Sequence, residues 1–191
     1  YNFAKSLRYA GRLPEAAANL EQALALVREQ GGAQHRLTLV ILDELGVAYN
    51  LAGEPAKTRD LLGKALPDFA EAARKGSDGE QDCYAMALAT LGEAERLDKQ
   101  YDDAATHFAQ ADAILAKLDI NGFRDDVLDL LEWSAALQLD RRDAAAARAT
   151  LDRHDELAAH PSPSARRVAT SQVLRTRLDG LSTTSESTHE P

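Results

Sequence analysis

The sequence predicts an all-α fold of stacked helix-turn-helix repeats, and three observations carry that expectation. Of its 191 residues, 45% are hydrophobic but only 5% aromatic, and 28% are charged, with Ala and Leu abundant, a composition close to that of helical proteins. Apolar residues recur at i, i+3, i+4 and i+7, the spacing that gives a helix one buried stripe. The same residue types return at a long, nearly constant interval: with Phe3, Leu45, Leu91 and Trp133 taken as equivalent, the spacings are 42, 46 and 42 residues. Two helices per repeat cannot bury their apolar faces alone, so the repeats must stack, each covering its neighbour.

The elements follow in order. The first repeat, residues 1–36, carries Phe3, Ala4 and Leu7 on one helix, turns at Gly11, and continues with Leu13, Ala16, Leu20 and Ala23 on a second. The second, 37–79, reads Leu42, Leu45, Gly46 and Tyr49, then Gly53, then Leu62 and Ala65. The third, 80–121, reads Leu88, Leu91 and Gly92, then Tyr101, Ala104, Phe108 and Ala111, with Lys99 where the earlier repeats have a turn glycine. The fourth, 122–160, is looser: Leu130, Trp133, Ser134 and Leu137, then Ala147 and Leu151. Gly11 and Gly53 are expected to end first helices in the left-handed conformation that glycine adopts at little steric cost. Gly46 and Gly92 are expected at the closest approach of two helices. The segment Gly76-Ser77-Asp78-Gly79-Glu80 is expected to be a flexible loop holding the four extra residues of the longest interval. Two prolines in His160–Ser164 break the chain before a further helix within 161–181. Its Val168, Val173, Leu174 and Leu178 are expected to cap the last apolar face. Residues 182–191, rich in Ser, Thr and Glu, are expected to be disordered.

Charge and composition exclude several function classes. With 31 acidic against 22 basic residues the net charge is −9, the wrong sign for a phosphate-binding surface, so no nucleic-acid partner is expected. The acidity is concentrated in residues 83–140, which carry a net −8, and is read as a solvated face in preference to a site for a basic partner. No stretch approaches the roughly 20 apolar residues of a membrane span. Cys83 stands alone, which removes disulfide scaffolds and thiolate metal sites. The five histidines have no metal-ligand spacing, and His107 and His154 are read as helix-surface or packing residues. Neither a Gly-rich phosphate loop nor a paired-His zinc motif is present. The expectation is a non-catalytic protein with no catalytic residue, no cofactor and no metal, working in the cytoplasm, or outside it if the chain is part of a membrane-anchored kinase.

Two stretches resemble a known family. Leu45-Gly46-Val47-Ala48-Tyr49 and Ala104-Ala105-Thr106-His107-Phe108 are similar to the two signature steps of the tetratricopeptide repeat. The extended second helix and Gly/His linker from Ala23 to His35 resemble the long-period, kinesin-light-chain type, with Arg36 where that type has Pro. The resemblance implies a right-handed α-solenoid whose first helices line a concave groove that holds an extended peptide or a helix of a protein partner. Carried over residue by residue, it places Asn2, Lys5, Arg8 and Tyr9 on the groove side in the first repeat, and Asp43, Glu44, Val47, Asn50 and Leu51 in the second. The third repeat contributes Met86, Ala89, Thr90, Glu93, Arg96 and Leu97, and the fourth Leu128, Leu131, Glu132, Ala135, Gln138 and Leu139. Family members that grip a C-terminal carboxylate use cations here; Asp43 and Glu44, between Lys5 and Arg96, would repel one. Long-period Ala-rich repeats also resemble those appended to bacterial serine/threonine kinases and multidomain transcriptional regulators. Because the chain opens at Tyr1 inside a repeat, an upstream domain and a regulatory or scaffolding role in such a signalling protein form the alternative expectation.

Overall fold

The computed structural model describes residues 2–159 and 165–186, with side chains through residue 181. Among these residues the elements are α1 (Asn2–Tyr9), α2 (Leu13–Gly31), α3 (Arg36–Leu51), α4 (Pro55–Lys75), α5 (Asp78–Leu97), α6 (Tyr101–Leu115), α7 (Ile120–Asp140, interrupted at Phe123), α8 (Ala144–Ala158) and α9 (Ala165–Glu186). Two compact units result: Tyr1–Asp119 with α1 to α6, and Ile120–Pro191 with α7 to α9. In the first, α1 pairs with α2, α3 with α4 and α5 with α6, while α2 packs on α3 and α4 on α5. In the second, α7 pairs with α8 and both touch α9. The fold is the all-α solenoid class of helix-turn-helix repeats.

The turn after each first helix sets the register. Gly11 (φ 73°), Gly53 (φ 75°), Lys99 (φ 62°) and Arg142 (φ 61°) all adopt the left-handed conformation that reverses the chain into the second helix. Seven residues before them stand Ala4, Gly46, Gly92 and Ala135, and five after them Ala16, Thr58, Ala104 and Ala147, so small side chains face each other across every hairpin. Close approach demands this: a Cβ on Gly92 would lie 2.8 Å from Phe108 Cε1, and one on Gly46 would lie 3.0 Å from Leu62 Cδ1. The expected role of both glycines is what the packing shows. In this frame the fourth equivalent of Leu45 and Leu91 is Ser134 and not Trp133, which is half-buried one position away. Residue size misled the alignment, because the position is specified by its distance from the turn.

The expected flexible loop at residues 76–80 is not there. Only Gly76 and Ser77 separate α4 from α5, and Ser77 opens α5 with a capping box: its Oγ accepts from the Gly79 N–H (3.3 Å) while Glu80 Oε2 accepts from the Ser77 N–H (2.8 Å). The extra residues lengthen the start of α5, 20 residues against 16 in α3, because that cap lets the helix begin earlier.

The core of the first unit joins Leu20 and Leu24 of α2 to Leu39, Leu42 and Leu45 of α3, then to Leu62, Ala65 and Phe69 of α4 and Leu91 of α5. In the second unit Ala135, Leu139, Ala147 and Leu151 meet Leu174 and Leu178 of α9. The helix α9 departs from expectation in two ways. Val168 and Val173 are exposed, and its buried face is Arg167, Ser171, Leu174 and Leu178. An arginine is accepted there because α7 opposes it with carboxylates. The helix also runs to Glu186, into the stretch expected to be disordered, since once nucleated a helix gains one backbone hydrogen bond per added residue. The proline-containing break at 160–164 and the last five residues of the tail, 187–191, lie outside the described residues.

Candidate functional site: the first-helix face of the first unit

The helices α1, α3 and α5 are the first members of their hairpins, and each ends two residues before its left-handed turn residue. That shared end point puts Tyr9, Leu51 and Leu97 in equivalent positions, and all three are large apolar side chains left exposed, at 69%, 56% and 39%. Equivalent inward positions in the same helices are filled by Leu7, Tyr49 and Glu95, all buried. The exposure of the outer row therefore belongs to the repeat and is not an accident of one helix.

The polar residues expected on this face are tied to one another. Thr90, fully buried on α5, donates from Oγ1 to Asp43 Oδ1 (2.6 Å), and its carbonyl accepts from Asn50 Nδ2 (2.9 Å), which stitches α3 to α5. Glu44 collects the cations of α1, with Lys5 Nζ at 2.9 Å and Arg8 Nη2 at 3.3 Å. Glu93 and Arg96 form a bidentate pair one turn apart, with contacts of 2.7 and 2.8 Å. Asn2 is exposed and Val47 half-buried, whereas Asn50 and Glu93 are buried. The cations that would attract a free carboxylate are thus already paired within the chain.

Of the residues expected to line the groove in the fourth repeat, Ala135 and Leu139 are core residues that pack with Leu174 and Leu178. Glu132, expected there too, is buried and bonded to Arg167. Sequence reasoning expected the last helix to cap the final apolar face but did not place these residues of α7 under it. It placed Tyr9, Leu51 and Leu97 on the groove side, each six residues after the aligned Phe3, Leu45 and Leu91, but not as an exposed row, because which apolar side chains stay uncovered is set only when the helices pack.

Among the described residues the remaining chemistry-bearing side chains do not converge on a reaction centre. Burial, with the charges of Asp43 and Asp82, pushes the Cys83 thiol up to about 12, far from a nucleophile. Tyr49 is raised by burial and by donating to Glu21 Oε1 (2.5 Å). His107 is raised by its hydrogen bond to Glu95 Oε2 (2.7 Å) against the opposing effect of burial. Among the described residues no group of three or more His, Cys, Asp or Glu side chains could hold a metal ion. Nor is any described helix long and apolar enough to cross a membrane.

The hairpins and their left-handed turns define a helical-repeat protein, the class built to present a face and not a pocket. Residues 1–71 match the family model described as Tetratricopeptide repeat. The structure is similar to the crystal structure of nearly identical TPR-like repeats of a kinesin light chain from Podosopora anserina. The TM-score is 0.63 at 18% identity, over 96% of this chain and 93% of that one. A single-substitution form of the same protein matches with the same TM-score and identity over 97% and 93%. No curated protein matches this sequence. The family match is confined to residues 1–71, and the structural likeness shows the same repeat fold along the chain. Repeats of this family generally serve as non-catalytic protein–protein interaction modules.

Proposed function

We propose that the face formed by α1, α3 and α5 binds a peptide or helix of a protein partner. The observation that carries this is the row Tyr9, Leu51 and Leu97, exposed in register across three repeats. One exposed Leu means little, but three at equivalent positions can each take an apolar side chain of a segment running along the stack. Lys5, Asp43, Val47, Asn50, Glu93 and Arg96 frame that row, with Asn2 at its start; their mutual pairing leaves a surface that favours apolar over strongly charged ligands. Interfaces concentrate their energy in a few such anchors, so replacing one should weaken binding about tenfold or more.

Peptides selected from a displayed random library on the chain provide the test. The expected result is a set of apolar-anchored peptides whose affinity drops on Tyr9→Ser, Leu51→Ser or Leu97→Ser. Selected peptides that bind all three variants as well as the unchanged protein would place the interaction elsewhere. The alternative reading keeps the same face in a regulatory or scaffolding arm of a larger bacterial signalling protein, a serine/threonine kinase or a transcriptional regulator, acting in the cytoplasm or, in a membrane-anchored kinase, outside it. The intact mass of the protein in its source cell separates that arm from a stand-alone adaptor.

A further inference from the structure

The second unit buries charges where the first buries small residues. His154 of α8 stands twelve residues after its turn residue, the position held by Ala23, Ala65 and Ala111 in the other hairpins, and it is 1% exposed. Its Nε2 lies 3.3 Å from Glu132 Oε1 of α7, and its Nδ1 2.9 Å from Asp155 Oδ1. Both carboxylates are also held by cations: Glu132 Oε1 accepts from Arg167 Nη1 (2.9 Å), and Asp155 Oδ2 accepts from Arg175 Nε (2.9 Å). An ionised carboxylate only accepts, and a neutral imidazole has one N–H and one lone pair. In the neutral form one ring nitrogen would therefore face a carboxylate oxygen, lone pair against lone pair, with no room to turn away. Only an imidazolium donates to both.

We propose that His154 is a buried imidazolium whose second proton fastens α9 to the hairpin of α7 and α8, so that the docking of α9 is governed by pH. The two acceptors of its protons are the carboxylates that hold α9. Arg167 of α9 reaches Glu132, Asp129 and the Asp125 carbonyl, while Ser171 and Arg175 of α9 reach Asp155. The charged groups around the ring are Asp125, Asp129 and Glu132 on α7, Asp152 and Asp155 on α8, and Arg166, Arg167 and Arg175 on α9. Carboxylates outnumber guanidiniums in this set, so losing the imidazolium charge leaves Glu132 and Asp155 less well compensated in a buried setting.

The direction of the pH effect follows from the shifts. Burial alone lowers His154, but hydrogen bonds to Glu132 and Asp155 and their charges outweigh it and raise the group. A raised base contributes fully below its unfolded value of about 6.5, and the contribution disappears as pH rises through the folded value. Asp155 is held below the ordinary carboxylate value, burial being outweighed by hydrogen bonds from Ser171, His154 and Arg175. Its contribution is present above about pH 4 and is lost on acidification through its folded value. Docking of α9 is then firmest in mild acid, between the two titrations, and loosens as pH rises through that of His154.

The test is nitrogen-15 NMR of the histidine rings in the full chain, with amide exchange of α9 measured from pH 6 to 9. The expected outcome is two protonated ring nitrogens on His154 at pH 7 and a titration above that of an ordinary histidine. Protection of α9 should fall at least tenfold, beyond intrinsic base catalysis, as that titration is crossed, and this extra dependence should vanish in His154→Gln. A single protonated ring nitrogen at pH 7 overturns the proposal, as does α9 protection that follows intrinsic catalysis throughout. The ring measurement decides the matter on the unchanged protein even if the variant does not fold.

Discussion

Replacing Gly92 by Ala tests how closely the hairpins are packed. The added Cβ would lie 2.8 Å from Phe108 Cε1, 2.9 Å from Phe108 Cδ1 and 3.3 Å from the Ala104 carbonyl oxygen. Comfortable carbon contacts are about 3.5–4.0 Å, so the ring must move by roughly an ångström. Phe108 is 4% exposed and its ring is a rigid plate, and the carbonyl is fixed in the backbone of α6 at the buried Ala104, so neither neighbour has an easy retreat. Overpacking a core costs about 1–3 kcal/mol, here toward the upper end. The preference of a helix for Ala over Gly returns about 1 kcal/mol, which leaves a net loss of about 1–2 kcal/mol. Gly63→Ala is the matched control: it sits in α4 with nothing within 4 Å of its added Cβ and should stabilise by about 0.5–1 kcal/mol. Urea unfolding followed by far-ultraviolet circular dichroism should move the two midpoints in opposite directions with unchanged slopes. A Gly92→Ala protein as stable as the unchanged one, with the control behaving as expected, would refute the claim that Phe108 closes on bare backbone.

Four further outcomes rest on single features. Phe69, fully buried at the centre of the first core, should cost about 3–5 kcal/mol when replaced by Ala, read as a shift of the urea midpoint. Ser77→Ala removes the cap of α5 and should cost about 1 kcal/mol, with faster amide exchange confined to the first turn of that helix. Cys83, with its thiol pushed up to about 12 by burial, should resist alkylation at pH 8 until denaturant is added; labelling of the native protein at the denatured rate would show the site to be open. His107, raised by Glu95, should titrate above the ordinary histidine value, and its stabilising contribution should be lost as pH rises through that point. Glu95→Gln should lower the titration, because burial then acts on the ring without its main opposing partner, and an unchanged midpoint would contradict the pairing.

Much of the architecture was legible in the sequence because it depends on local chemistry. The i, i+3, i+4 stripes, the turn glycines and the small residues seven before the turn each act through contacts that repeat along the chain. Lys99 was legible for the same reason, since it occupies a glycine's place and adopts the glycine's conformation. The candidate face was legible as a set of residues on first helices, though not as an exposed row, because exposure depends on which helices pack against that face.

What the sequence by itself determined is the helical repeat, its hairpin turns and the residues that let paired helices approach, all set by backbone sterics and apolar periodicity. Only the tertiary structure decided which polar residues are buried. Asn50, Glu132 and Arg167 carry no local sign of burial, and each becomes buried because another helix supplies a hydrogen-bond partner, as α7 does for His154. A charged side chain carries no local signal of its eventual partner. Whether it is solvated or locked in place depends on which distant element brings the opposite charge within hydrogen-bonding reach, and that is fixed only when the helices pack.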